Sequence, residues 1–320
     1  MISPVDLILA MLLDVMIGTP EQLPHPVRWI GRLIKFLERV MRRIFKNERL
    51  GGVATVIMLI TITAMVVGLV IRGANALGPV VGHIAVIIIT YLGFASRCLF
   101  VEGRRIYQDL ERKDIVSARL SVARIVGRDT RALDETGVSR AAIESIAENT
   151  VDGIISPLFF AVIGGPVGLW IFKTVSTADS MIGHMDARYI RFGTAAARLD
   201  DILNWIPARL SFVLFPVAAI LTGNDAGGAW RIARRDHDQH ASPNAGVPEA
   251  AIAGALGVQL GGPLAYDGHE EVHPYFGAGL RMPTADDLRR ALMMLIAVTT
   301  LAFMTVLVGN LFMFWKIRGG

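Results

Sequence analysis

Three stretches of this chain are too long, too apolar and too free of charge to be at home in water. Residues 52–71, 78–96 and 292–315 contain no Asp, Glu, Lys or Arg. Each reaches the roughly 20 residues that a helix needs to cross about 30 Å of hydrocarbon. Backbone groups inside a bilayer must satisfy one another, so such runs cross as helices. Composition agrees: 53% of residues are hydrophobic and 19% charged, against about 25% charged in a soluble domain. The mean hydropathy is +0.49.

Other apolar stretches are less regular. Residues 154–172 are uncharged but interrupted by Pro157 and by Gly164-Gly165-Pro166, which predicts a broken or re-entrant helix whose freed backbone groups pair inside protein. Residues 202–221 carry Arg209, Pro207 and Pro216. Residues 250–265 are short and built of small side chains, suited to close packing. The first 13 residues lack a basic start, and Asp6 and Asp14 bracket the apolar stretch. They read as a marginal membrane or interfacial helix of the mature chain, not a cleavable signal. The expected fold is therefore all-α: a polytopic integral membrane helical bundle in the cell membrane. It carries cytoplasmic amphipathic helices and broken or re-entrant helices around its site, in one membrane-embedded domain over 1–320.

Basic residues orient it. Arg28, Arg32, Lys35, Arg39, Arg42, Arg43, Lys46 and Arg49 precede the first long run, whereas only Arg72 lies between the next two. The 28–49 loop is then cytoplasmic and the Arg72 loop external. Residues 97–150 return to the cytoplasm as a helical segment, with Ile115, Ala118, Val122 and Ile125 forming an amphipathic stripe. Ser139 stands where it would cap a helix over 140–149. The net charge of +4 reflects topology and anionic headgroups, not nucleic acid, for which no module is present. The single cysteine, Cys98, excludes an intramolecular disulfide and a thiolate metal cluster.

Four polar constellations stand out between residues 128 and 250. Glu144, Glu148 and Asp152 recur every fourth residue, so a continuing helix stacks three carboxylates on one face. Like charges at that spacing repel, and a Mg²⁺ shared with substrate phosphate relieves them. A solvated face with Arg140 paired to Glu144 is the competing explanation. Lys173, Asp179 and His184 follow an apolar run directly. The lysine can simply snorkel, but ionisable groups so near lipid are usually functional. Asp200 and Asp201 are adjacent, a motif weak in isolation. Residues 234–249, within a polar site loop over 223–250, hold Arg235, Asp236, His240, Asn244 and Glu249; Pro243, Gly246 and Pro248 predict a structured loop. Arginines there suit phosphate or carboxylate, and histidines suit proton transfer. A charged connector between membrane segments is the plain alternative. The chain has no Gly-x-x-x-x-Gly-Lys-Ser/Thr loop, no Gly-x-Gly-x-x-Gly and no Gly-x-Ser-x-Gly elbow.

These residues resemble a known family. Gly127-Arg-Asp-Thr130, the run RAAIESIAENTVDGIISP over 140–157, TADSMIGH over 177–184, Ala197-Arg-Leu-Asp-Asp201 through Pro207-Ala-Arg-Leu210, residues 235–257 and His25-Pro-Val-Arg-Trp-Ile-Gly31 look like the adenosylcobinamide-phosphate synthase family of cobalamin biosynthesis, the CobD/CbiB type. The resemblance implies a membrane ligase that forms an amide between adenosylcobyric acid and aminopropanol or its phosphate. ATP would be cosubstrate and Mg²⁺ cofactor. It implies catalytic roles for Arg140, Glu144, Glu148, Asn149, Lys173, His184, Arg235, Asp236 and His240. Arg128, Asp129, Thr177, Ser180, Arg198, Asn244 and Glu249 would bind ligand, with metal ligands drawn from Glu148, Asp152, Asp179, Asp200 and Asp201. Expected partners are the corrinoid, the bilayer, and either a second copy or other enzymes of the pathway. Two other classes compete: a Mg²⁺-dependent prenyl-type transferase, and a non-catalytic transporter or partner, against which the charge-free spans argue.

Overall fold

The computed structural model describes residues 2–19, 25–184, 188–266, 269–271 and 274–319. In chain order the helices are α1 (Pro4–Ile17), α2 (Pro26–Ile44), α3 (Glu48–Leu77), α4 (Pro79–Tyr91), α5 (Ser96–Glu111), α6 (Ile115–Val122), α7 (Glu135–Thr150), α8 (Ser156–Ile182), α9 (Thr194–Leu221), α10 (Ala226–Asp236), α11 (Gly246–Leu256) and α12 (Ala285–Gly319). Strand structure among the described residues is confined to two short antiparallel pairs. They are β1 (Leu260–Gly261) with β4 (Tyr275–Phe276), and β2 (Leu264–Tyr266) with β3 (His269–Glu271).

Five helical stretches among the described residues are long and apolar enough to cross a membrane: Glu48–Leu77, Pro79–Glu111, Glu135–Ile182, Thr194–Leu221 and Ala285–Lys316. The three charge-free runs fall in α3, α4 and α12, and the all-α, multi-pass membrane architecture stands. Expected as one membrane-embedded domain, the chain groups into two compact units with interleaved segments. The first comprises Met1–Ala95, Ser156–Asn204 and Phe303–Gly320; the second comprises Ser96–Ile155 and Trp205–Ala302.

In the first unit, α3 and α4 form a hairpin about Gly78, whose φ of 137° is open chiefly to glycine. The short α1 lies along α4: His83 Nδ1 sits 2.9 Å from Asp6 Oδ2, and the Tyr91 hydroxyl donates to the Gly18 carbonyl. Asp6, unexpected in an apolar helix, thereby has a partner. The basic segment predicted as a loop over 28–49 is instead mostly α2. Pro26 occupies its first turn, His25 Nδ1 accepts from the Val27 N–H at 3.2 Å, and Ile30, Ile34, Leu37 and Met41 are buried. That three- and four-residue spacing is a helical signal hidden beneath the charges.

α8 folds back on itself. The rings of Phe160 and Phe172 stack with centroids 5.2 Å apart, whereas 12 residues of straight helix separate two positions by about 18 Å. A Cβ on Gly168 would meet the Phe160 carbonyl oxygen at 2.8 Å. The reversal is at Gly165, with φ 61° and ψ −158°, followed by Pro166. The Gly-Gly-Pro triplet is thus the tip of a helical hairpin, as a re-entrant element requires.

In the second unit, α7 begins earlier than its sequence suggests. Asp134 caps it by accepting from the Gly137 N–H at 2.7 Å, and the Ser139 hydroxyl donates to the Glu135 carbonyl one turn inside. Ser139 is not the cap. Past Thr150 the chain forms a π-helical turn, Val151–Ile155, which accommodates an extra residue per turn. Asp152 lies in this turn and, unlike Glu144 and Glu148, does not line the polar cavity of this unit. The polar stretch predicted as a loop is largely helical. Arg234, Arg235 and Asp236 end α10, His237–Gln239 form a 3₁₀ turn, and Pro248 and Glu249 lie in the first turn of α11. Proline in a first turn costs no hydrogen bond, so here it starts a helix. Every residue of α11 is buried, and Gly228 and Gly254 let α10 and α11 touch backbone to backbone.

Candidate functional site

A cavity of about 280 Å³ opens in the second unit. Residues 125–128 form one wall, and Ala141, Glu144, Ser145 and Glu148 of α7 a second. His240, Glu249 of α11, Gly261 of β1, Pro274 and Phe276 complete it. Residues predicted on separate motifs thus meet in one place: Arg128, Glu144, Glu148, His240 and Glu249.

Glu144 is the best-fixed of them. Arg128 Nη2 donates to its Oε2 at 2.6 Å, and the Gly261 N–H donates to its Oε1 at 2.6 Å. Both ionic partners are largely buried, with side-chain exposures of 7% and 10%, so this pair is held apart from screening solvent. The loop carrying Arg128 is fastened to α7 by the Ser145 hydroxyl, which donates to the Ile125 carbonyl at 2.7 Å, while Asn149 Nδ2 donates to the Ser145 carbonyl at 2.9 Å. Asn149 thereby supports the cavity wall. Gly261 must be glycine: φ is 76°, and a Cβ would overlap the Pro274 carbonyl.

Electrostatics single out Glu249. Burial, then the neighbouring charges of Glu144 and Glu148, push its carboxyl well above the usual range, with Arg128 opposing weakly. His240 Nε2 stands 3.9 Å from Glu249 Oε1. His240 Nδ1 lies 2.9 Å from the Ser242 backbone nitrogen and 3.3 Å from the Ser242 carbonyl oxygen, which leaves Nε2 as the ring nitrogen toward Glu249. Phe276 stacks against the imidazole at 6.2 Å. Finally, Nε of Arg128 and Nε of Arg140 are buried without a hydrogen-bond acceptor among the described residues. Buried guanidinium donors call for an acceptor, and anions supply it best.

A second polar group lies in the first unit. Asp200 accepts from Asn204 Nδ2 at 2.9 Å, and Asn204 Oδ1 accepts from the Ser156 hydroxyl at 2.5 Å. Asp201 and His184 lie close enough to Asp179 to act on its charge. Thr177 and Ser180 donate to the carbonyls of Lys173 and Ser176 in their own helix. Lys173 acts on His25, whose basicity is lowered by burial and then by that lysine. Arg198 is exposed on α9.

Several other predicted site residues occupy different places. Asp236 is buried, receiving Arg235 through Nε at 2.6 Å and the Gly277 N–H at 2.7 Å; it anchors the chain beyond β4. Burial opposes its ionisation, but the hydrogen bonds from Arg235 and Gly277 outweigh it and hold its carboxyl below the usual range. Asn244 accepts from Arg209 Nη1 at 2.7 Å. Asp129 pairs with Arg131 in the open, and those hydrogen bonds lower its carboxyl to about 2. Among the described residues no three His, Cys, Asp or Glu side chains converge as a metal-binding cluster. Sequence reasoning missed Ser145, Gly261 and Phe276. Gly261 is 117 residues from the carboxylate it serves, and no local pattern carries that pairing.

Residues 7–295 match the family model described as CobD/Cbib protein. The chain is 45% identical over 304 residues to the cobalamin biosynthesis protein CobD of Pelobacter propionicus, covering 95% of this chain and 94% of the relative. It is 46% identical over 272 residues to that of Geobacter metallireducens, covering 85% and 86%. With the cobalamin biosynthesis protein CbiB of Salmonella typhimurium the identity is 39% over 297 residues, covering 92% and 93%. No solved structure matches.

Proposed function

Because the chain belongs to the CobD/CbiB family of cobalamin biosynthesis proteins, we propose that it is the membrane ligase that joins adenosylcobyric acid to aminopropanol or its phosphate, at the cost of ATP. A carboxylate and an amine at neutral pH form a salt, so the carboxyl must first be activated. In this reading a carboxylate oxygen of the corrinoid attacks the terminal phosphorus of ATP and ADP departs. The amine then attacks the acyl carbon, phosphate leaves, and the amine's proton passes to a base.

One observation carries the proposal. Residues of three family motifs line one cavity, where the buried Arg128 Nε–H, without an acceptor among the described residues, shares the lining with the buried, proton-avid carboxyl of Glu249. Arg128 suits phosphate or acyl-phosphate oxygens through its unpaired Nε–H group, and Arg140, earlier on α7 and outside the cavity lining, is a further candidate. Glu249, whose burial raises its proton affinity, is the candidate base for the amine proton, and His240 Nε2 stands 3.9 Å from it. Both oxygens of Glu144 are engaged by Arg128 and Gly261, so Glu144 positions Arg128. At about 280 Å³ the cavity sits just below the range of whole-ligand pockets. It suits an aminopropanol phosphate or a transferring phosphoryl group, not an entire corrinoid.

Mg²⁺ is commonly held by one or two carboxylates together with substrate phosphates. Glu148 is the cavity candidate, and Asp152, Asp179, Asp200 and Asp201 complete the pool. Bound Mg²⁺ would neutralise charge on the phosphates during transfer.

The test is turnover by the purified, detergent-solubilised protein given adenosylcobyric acid, aminopropanol phosphate and Mg·ATP, with mass detection of amide and ADP. Amide formation matched by ADP release is expected, lost in Glu148→Gln and Glu249→Gln while membrane insertion is intact. Absence of corrinoid binding by folded protein would overturn the reading.

A further inference from the structure

Two aromatic rings border the polar cavity, and they come from distant stretches of chain. His240 follows the 3₁₀ turn after α10, and Phe276 ends β4. Their centroids lie 6.2 Å apart, with planes 25° from parallel. Such a contact is a weak restraint by itself, so the relative placement of the two segments needs another source. His240 Nε2 stands 3.9 Å from Glu249 Oε1, just beyond hydrogen-bond reach, and a small displacement would take it away from that carboxyl.

Asp236 is that source. It ends α10, is 1% exposed and does not line the cavity. Its Oδ1 accepts from Gln239 Nε2 at 3.2 Å, on the residue just before His240. Its Oδ2 accepts from the Gly277 N–H at 2.7 Å, on the residue just after Phe276. Arg235 covers the same carboxylate, with Nε 2.6 Å from Oδ1 and Nη2 2.8 Å from Oδ2. A charged acceptor makes such bonds shorter and roughly twice as strong as neutral ones. Gly277 suits this place because its φ of 67° is open chiefly to glycine. The tie reaches a third position. β4 pairs with β1, Tyr275 opposite Gly261, and the Gly261 N–H holds Glu144.

We infer that Asp236 is a positioning residue, which sets His240 opposite Glu249 and Phe276 against His240 without itself touching substrate. The catalytic role that the resemblance implies for Asp236 gives way to one exercised through its neighbours. The bridge between the two segments stands on geometry alone, and its consequence for turnover rests on the ligase reading.

The test pairs hydrogen–deuterium exchange, read by mass spectrometry on the full chain in detergent, with turnover of adenosylcobyric acid, aminopropanol phosphate and Mg·ATP. Asp236→Ala should lose amide protection at two separate places, residues 237–242 and 275–277, and keep the parent's protection over residues 285–302 of α12. Asp236→Asn retains one oxygen for the Gly277 N–H and serves if the alanine variant does not fold. It should lose protection over 237–242 and keep it over 275–277. Its kcat should fall about 10- to 100-fold, the cost of misplacing a group by about 1 Å. The KM for adenosylcobyric acid, whose body does not fit the cavity, should stay at the parent value. Most of the loss should vanish when Asp236→Asn is combined with His240→Ala, because residues that act through one another are not additive. Exchange that rises evenly across the whole second unit, a parent-like kcat, or an undiminished loss in the His240→Ala background would each overturn the inference. A parent that makes no amide would sink the ligase reading alone, and the exchange pattern would then decide the inference.

Discussion

Replacing Arg128 by Met tests how the polar cavity is held together. Arg128 and Glu144 meet at 2.6 Å with side-chain exposures of 7% and 10%, and Glu148 and Glu249 share the same cavity. Removing the guanidinium leaves Glu144 as a buried charge beside two other carboxylates. Breaking one partner of such a pair typically costs about 3–5 kcal/mol. At about 2 °C per kcal/mol for a chain of this size, the apparent unfolding temperature should drop about 6–10 °C. Glu144→Gln in the same chain removes the stranded charge and still accepts from the Gly261 N–H, so the double variant should recover much of the loss. Thermal unfolding in one detergent, followed by tryptophan fluorescence, reads all four corners of the cycle. The deficit of Arg128→Met should also widen as pH rises and Glu249 ionises through its raised value. A drop below about 2 °C, or a double variant as unstable as Arg128→Met, would refute the argument.

Other consequences follow from the same geometry. Glu249 has a folded-state proton affinity raised above its ordinary value, so its contribution to stability is complete below the usual Glu range and is lost as pH rises through the raised value. Unfolding temperature against pH should therefore decline over that window in the parent and be flatter in Glu249→Gln. Asp236 is the opposite case, its carboxyl held below the usual range; its contribution is present above that range and disappears as pH falls through the lowered value. Asp236→Ala strands the buried Gly277 N–H and should cost about 1–3 kcal/mol, read by chemical unfolding at neutral pH, and the variant should lose the parent's acid sensitivity in part. Gly165→Val forces a β-branched residue to φ 61° at the tip of the α8 hairpin and should cost about 1–3 kcal/mol, visible as reduced folded yield; parent-like yield would argue against the fold-back.

The membrane spans were legible because hydrophobic length is a local property: 20 charge-free residues in a row need no partner to be recognised. The Gly164-Gly165-Pro166 break was legible for the same reason. α2 was obscured because eight basic residues, six of them within the helix itself, invite a topology reading, which masks the buried stripe of Ile30, Ile34, Leu37 and Met41 beneath. The stretch 234–249 looked like a loop because proline and glycine were read as breakers. Pro248 instead sits in a first helical turn, where it is favourable, and Gly246 starts that helix because a Cβ there would overlap the His237 carbonyl. The π turn that carries Asp152 went unread because residue type does not signal one. In the site, Arg128, Glu144, Glu148, His240 and Glu249 were each picked out, but their meeting was not. Their convergence depends on the Gly261 N–H and on the packing of α10 against α11, both products of distant chain segments.

The 117 residues between Glu144 and Gly261 also set an order of events during synthesis. At about 5–20 residues per second, the donor emerges roughly 6–23 s after the acid it will hold. Between them come residues 156–204, which belong to the other compact unit. Arg128 precedes Glu144 in the chain, so the nascent carboxylate has its counter-ion from the start and is neutralised throughout that wait. A chain with the arginine placed after Gly261 would expose an unpaired acid at the membrane surface for the whole interval.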